Sequence, residues 1–194
     1  MTAALLIVGA TVMGSIPTGL LIARARGVDI RAVGSGNIGA TNVARALGKP
    51  WAIFVLLCDA LKGFLPVFAG RFLIPGLADW TVALAGLGAI VGHMFTVFLR
   101  GRGGKGVATS LGVALGISPP AAACGFALYI LAFLITRLSS VGSLLGIWSF
   151  PAFATMLGGI ARPYLALSIG TALLVTLRHR ENIARLVKGE EKRT

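Results

Sequence analysis

Apolar runs fill almost all of this chain between its basic clusters, which leaves no room for a soluble domain. They cover roughly 2–23, 51–70, 80–99, 107–118, 121–136, 140–157 and 162–178. In hydrocarbon, backbone N–H and C=O groups must be satisfied within the protein, so runs of this kind become helices. Only 12% of the 194 residues are charged, and the mean hydropathy is +0.89. The chain therefore reads as all-α, a polytopic membrane helical bundle forming a single domain over residues 1–194. No basic segment precedes the first run, so it reads as a retained span rather than a cleaved signal.

Charge sets the number of spans. The run 107–118 covers only about 18 Å of a ~30 Å hydrocarbon core. One alternative joins it to the next run as a helix over 107–136, bent at Pro119-Pro120. With seven transmembrane helices and the N-terminus outside, fifteen basic residues share one side, and Arg71 and Arg162 lie on the other. With six, the split becomes nine against eight. The excess of cations on cytoplasmic loops selects seven and places the C-terminus in the cytoplasm. The Pro-Pro pair also suits a tight turn. The net charge of +12 is then explained by cytoplasmic loops facing anionic lipid, with no need for a nucleic-acid partner. Cys58 and Cys124 sit in separate runs and suggest neither a disulfide nor a metal site.

Three polar segments fall on the basic side. The first is GSGNIGATN, Gly34 to Asn42, inside the long connection from Arg24 to Pro50. Gly34, Gly36 and Gly39 permit close backbone approach, while Ser35, Asn37, Thr41 and Asn42 supply hydroxyl and amide groups. Val43 to Leu47 reads as a helical turn with Arg45 near its N-terminus, a combination suited to clamping phosphate. The second is GRGGKG, Gly101 to Gly106, where Arg102 and Lys105 flank Gly103 and Gly104. Its spacing is not that of a Walker A loop, and no strand precedes it. The third is RHRENIARL, Arg178 to Leu186. His179 and Asn182 share a helical face there, and Glu181 and Arg185 are spaced as an i, i+4 pair. Within the second and third runs, Asp59 and Lys62 are an i, i+3 pair, and His93 reads as a packing residue. Asp59 and Lys62 are equally open to a functional role and to holding the bundle together.

GSGNIGATN with Arg45, then GHM…GRGGKGVAT, then RHRENI…RL, resemble in order and spacing the motifs of the bacterial acyl-phosphate:glycerol-3-phosphate acyltransferase family. DALKG around Asp59 resembles that family's second-span pattern. Met94-Phe95-Thr96 departs from it, since many relatives have Met-Tyr-Pro. The resemblance implies seven helices in the bacterial inner membrane with the motifs facing the cytoplasm. It also implies transfer of a fatty acyl group from acyl phosphate to the 1-hydroxyl of glycerol 3-phosphate, giving lysophosphatidic acid. No cofactor or metal is implied. The implied partners are the two substrates, membrane lipids and a soluble enzyme that makes acyl phosphate.

On this reading Ser35 to Asn42 hold the donor phosphate and carbonyl. Arg45, Lys105, His179 and Asn182 hold glycerol 3-phosphate, although the two phosphates are interchangeable between these sites. Ser35, Arg45 and His179 are the catalytic candidates, and the base is either His179 or the leaving phosphate. The common thioester-using acyltransferases place an aspartate five residues after the catalytic histidine. Here Phe98 and Ala184 stand at those positions, so an acyl-CoA donor is not expected. A transporter would place its polar groups near the midplane between repeated halves, whereas these lie at one face.

Overall fold

The computed structural model describes residues 1–191 and 193. Lys192, one of the fifteen basic residues, and Thr194 lie outside the described residues. The elements are α1 (Thr2–Gly14), α2 (Thr18–Ala25), α3 (Ala40–Leu47), α4 (Lys49–Phe68), α5 (Asp79–Met94), α6 (Val107–Ile117), α7 (Pro119–Thr136), α8 (Ser139–Met156), α9 (Arg162–Arg178) and α10 (Arg180–Val187). A π turn over Ala69–Leu73 extends α4, and a 3-10 turn over Val97–Leu99 follows α5. Among the described residues there is no strand. Every apolar run is helical. By length and composition, Thr2–Ala25, Lys49–Leu73, Asp79–Leu99 and Pro119–Thr136 are long and apolar enough to cross a membrane. Pro119 and Pro120 open α7 rather than bend a longer helix, because the first turn needs no proline N–H.

The first apolar run is not one helix. Pro17 lacks an N–H, and the chain breaks between α1 and α2 at Ser15, Ile16 and Pro17. A break in an apolar setting frees carbonyls that need donors. Thr96 Oγ1 donates to the Ser15 carbonyl, and Lys62 Nζ donates to the Ile16 carbonyl at 3.0 Å. Lys62 is in turn 2.8 Å from Asp59 Oδ1, and His93 Nδ1 lies 3.8 Å from the same oxygen. All three side chains are buried. The ionisable pair thus caps the broken first segment, and Thr96 supplies a second side-chain donor.

Small residues set the helix packing, as is common where burial of apolar surface alone does not favour association. A Cβ on Gly112 of α6 would overlap the Ala60 carbonyl of α4, and one on Gly63 would overlap the Thr109 carbonyl. Gly14 and Gly92 bring α1 and α5 equally close, and Gly125, Gly142 and Gly146 do the same for α7 and α8. Large apolar side chains point outward instead, among them Leu57 and Leu61 on α4 and Leu134 and Ile135 on α7. The short α6 is largely buried within the bundle. One end of the bundle is closed by Arg71, which donates to the Gly116 carbonyl at 2.7 Å and also to that of Ile117, and by Tyr164, which donates to Asp79 at 2.7 Å. The three polar motifs gather at the other end.

Lys62→Ala should lower thermal stability in detergent sharply, because it leaves the Asp59 carboxylate buried without its cation and leaves the Ile16 carbonyl with the Thr18 N–H alone. Breaking a buried pair costs about 3–5 kcal/mol. Asp59→Asn combined with Lys62→Met should recover part of the lost Tm. An unshifted Tm for Lys62→Ala would remove the capping role.

Candidate active site

A cavity of about 950 Å³ opens among the polar motifs and runs inward between α4, α6, α7 and α8. Its apolar wall follows one face of α7 from Phe133 through Ile130, Phe126 and Gly125 to Ala122, facing Leu111 and Ala114 of α6 and Phe150 of α8. Its mouth is polar.

Five helices begin at this mouth: α3, α4, α6, α8 and α10. Residues from the first turn of each line the cavity, namely Ala40 and Thr41, Lys49 and Ala52, Val107 and Ala108, Ser139 and Ser140, and Asn182. The N-cap residues are Gly39, Gly48, Gly106, Leu138 and His179, and none of them accepts a capping hydrogen bond on its side chain. Helix N-termini present unpaired N–H groups and a partial positive charge. With no capping side chain, those donors stay open to an anion.

The first loop is held by its own polar groups. Asn42 is buried; its Oδ1 accepts from the Ser35 N–H at 3.0 Å, and its Nδ2 donates to the Ile30 and Val33 carbonyls at 3.1 and 3.0 Å. Gly36 N–H is bonded to the Val33 carbonyl, Asn37 N–H to Ser35 Oγ and Gly39 N–H to Asn37 Oδ1. Those donors therefore serve the loop's shape. Gly34 has φ +57°, and a Cβ there would overlap Asn42 Oδ1, so only glycine fits. Thr41 Oγ1 lies 3.0 Å from Ser139 Oγ and ties the loop to α8. Gly34, Ser35, Asn37, Gly39, Thr41, Asn42 and Arg45 line the cavity; Gly36 does not. The helix expected over Val43 to Leu47 starts earlier, at Ala40, because Gly39 is already its extended N-cap. Arg45 consequently sits in the last turn of α3, not at its N-terminus, and still faces the cavity.

In the second loop only Lys105 and Gly106 line the cavity. Gly103 and Gly104 are buried against the end of α5, donating to the Met94 and His93 carbonyls at 3.1 and 3.0 Å. A Cβ on Gly104 would strike the His93 ring. Arg178 clamps the loop from the other side, donating to the Gly103 carbonyl at 3.2 Å and from Nε and Nη2 to that of Gly104. Arg102 is exposed, and its carbonyl accepts from Arg31 at 2.7 Å. These contacts aim Lys105 inward.

Lys105 Nζ donates to Asn182 Oδ1, and Asn182 Nδ2 donates to Glu191 Oε1. His179 Nδ1 lies 2.8 Å from the Val175 carbonyl. A carbonyl only accepts, so Nδ1 carries the hydrogen and Nε2 presents a lone pair. Burial, reinforced by nearby Lys105, pushes the His179 pKa down to about 4. Burial also brings Lys105 down to about 8, against the opposing pull of Glu191. Arg185 pairs with Glu191 at 2.7 Å, replacing the expected Glu181 pair, because the chain folds back after α10. Asp59 and His93 also line the cavity, along with Arg137, Ser139, Ser140 and Ser143. The last four sit around a turn too short to stand out in sequence. Among the described residues no cluster of His, Cys, Asp or Glu is suited to a metal.

A family model described as glycerol-3-phosphate acyltransferase matches residues 4–189. A glycerol-3-phosphate acyltransferase of Geobacter sulfurreducens is 51% identical over 95% of this chain and 93% of its own length. One from Anaeromyxobacter dehalogenans is 47% identical over 98% of this chain and 96% of its own. The crystal structure of PlsY (YgiH), an integral membrane glycerol 3-phosphate acyltransferase, in its glycerol 3-phosphate form superposes with a TM-score of 0.95 at 41% identity, covering 100% of this chain and 96% of that one. Its lysophosphatidic acid form gives 0.93 at 40% identity, covering 100% and 95%. With its helices, outward apolar surface and shared motifs, this chain belongs to the glycerol-3-phosphate acyltransferase family of integral membrane enzymes.

Proposed function

We propose that this enzyme transfers a fatty acyl group from acyl phosphate to the 1-hydroxyl of glycerol 3-phosphate, releasing lysophosphatidic acid and inorganic phosphate. One observation carries the reading: a single cavity joins five uncapped helix N-termini and the cations Arg45 and Lys105 to a long apolar wall. From Phe133 to Ala122 that wall spans about 16 Å of helix, room for the greater part of an extended long acyl chain. The first turn of α3 with Ser35 takes the donor phosphate and the carbonyl oxygen. Arg45, Lys105 and Asn182 take the acceptor phosphate. Arg102, Gly103 and Gly104 act one step removed, by fixing the loop that carries Lys105.

The hydroxyl oxygen attacks the acyl carbonyl, the carbonyl–phosphate C–O bond breaks, and the hydroxyl proton leaves with the phosphate. His179 Nε2 accepts a hydrogen bond from the hydroxyl and orients it. At a pKa near 4 its imidazolium is strongly disfavoured. A phosphate with a second pKa of about 6 is the better final acceptor. Donors already in place at the helix ends meet the developing oxyanion without reorganisation. The active site faces the cytoplasm, with seven spans and the N-terminus outside, which suits the polar motifs and most basic residues gathering at one end. A soluble enzyme that makes acyl phosphate delivers the donor from that side.

Lys105→Ala should cost about 1.5–3 kcal/mol, roughly 10- to 150-fold in kcat/KM for glycerol 3-phosphate, with little change in Tm. In the wild type, kcat/KM should hold level below pH 8 and fall as Lys105 loses its proton above it. A level profile to pH 9.5 would deny Lys105 this role. In parallel assays with labelled glycerol 3-phosphate, palmitoyl phosphate should far exceed palmitoyl-CoA as donor; equal turnover would refute the donor assignment. A C-terminal alkaline phosphatase fusion should be inactive in cells, and activity in the periplasm would reverse the orientation.

A further inference from the structure

The C-terminal segment reaches back into the mouth of the cavity. Gly189, at φ +71°, reverses the chain after α10, with the Glu190 N–H bonded to the Arg185 carbonyl at 2.8 Å. That turn delivers Glu191 to three donors from two elements. Ser140 Oγ of α8 donates to Oε1 at 3.1 Å, as does Asn182 Nδ2, and Arg185 Nε donates to Oε2 at 2.7 Å. Asn182 also accepts from Lys105, so a single side chain separates the carboxylate from the lysine. Hydroxyl, amide and guanidinium donors converging beside a lysine form a site for a tetrahedral or planar anion. Burial alone raises the Glu191 pKa, and the hydrogen bonds from Asn182, Arg185 and Ser140 more than reverse this, so the carboxylate sits there ionised.

We propose that Glu191 is an internal competitor for the acceptor's phosphate: glycerol 3-phosphate binds only when the C-terminal segment swings out. This rests on Lys105 and Asn182 being acceptor ligands. A phosphate carries about −1.5 to −2 charges, and it and Glu191 cannot share the same few ångströms. With Glu191 seated, one donor of the Asn182 amide is taken and the positive field around Lys105 is partly neutralised. Apparent affinity for the acceptor is then reduced by the fraction of molecules in which the segment is out. The contact therefore tunes the acceptor concentration at which the enzyme works.

The test is equilibrium binding of labelled glycerol 3-phosphate to the purified full chain at pH 7, without acyl donor. Wild type, Glu191→Gln and Glu191→Ala are compared, with Glu190→Gln as control, since Glu190 is exposed and of the same charge. Both Glu191 variants should bind about three- to tenfold more tightly than wild type. Steady-state KM should fall by the same factor at unchanged kcat, and Glu190→Gln should behave as wild type. Unchanged or weaker binding would overturn the inference, as would a raised KM or lowered kcat, since those mark a residue that only steadies Asn182. Equal tightening by Glu190→Gln would overturn it too, by attributing the effect to the general field. If wild-type and variant proteins alike fail to bind glycerol 3-phosphate, the acceptor assignment of the site fails along with the inference.

Discussion

The convergence of helix N-termini at one end of the bundle is the constraint on which the site depends. Helices of an up-and-down bundle alternate in direction, so α4, α6 and α8 all start on the same side. The short α3 and α10 add two more starts at that end. Each N-terminus brings unpaired N–H groups and roughly half a positive charge. A soluble protein would usually close such ends with Ser, Thr, Asp or Asn side chains. Here three of the five N-caps are glycine, which costs only a few tenths of a kcal/mol relative to a good cap and leaves the donors free. The glycine-rich motifs therefore have two parts with different jobs. Their interior glycines let the loops pack against the bundle, and the final glycine of each opens a helix.

Such a mouth holds its shape only if the loops around it are fixed, because an anion site misplaced by an ångström loses much of its value. Buried polar contacts from distant parts of the chain do the fixing. Asn42 ties the first loop to the Ile30 and Val33 carbonyls, and Arg178 pins the second against α9. His93 receives that second loop on its carbonyl while its ring stands beside Asp59. Asp59 in turn holds Lys62, which caps the break in the first helical segment. One chain of contacts thus runs from the fracture at Pro17 to the lysine at the mouth. The break and the site are parts of one polar structure inside an apolar bundle.

The helices were legible because long apolar runs leave no alternative, and the basic clusters marked which ends belong together. The motif residues were legible too, and most of them reach the cavity. What the sequence concealed was the direction of the hydrogen bonds. GRGGKG looks like a loop that offers its N–H groups to phosphate, yet two of them are spent on the His93 and Met94 carbonyls at the end of α5. Arg45 was expected at the start of a helix that in fact begins three residues earlier. Ser139 and Ser140 carry no local signal, since a hydroxyl pair after one basic residue has no distinguishing spacing. Glu191 carries no local signal either, because its partners depend on a chain reversal at Gly189. Each of these is a pairing between distant segments, which local pattern does not encode.

Charge balance gives a reason for acids to appear in a cavity lined by cations. Five cations line the cavity, Arg45, Lys49, Lys105, Arg137 and Arg185, together with the helix dipoles, while Asp59 and Glu191 are its acidic residues among those described. Concentrating positive charge in a partly desolvated mouth is unfavourable, and burial, with a smaller push from Arg185 and Arg45, lowers the Lys105 pKa. Asp59 offsets it from below as a fixed partner of Lys62. Glu191 offsets it from above through its bonds to Ser140, Asn182 and Arg185. A cavity with no acid would favour a neutral Lys105, whereas Glu191, held by Ser140, Asn182 and Arg185, keeps a negative charge one side chain away from it.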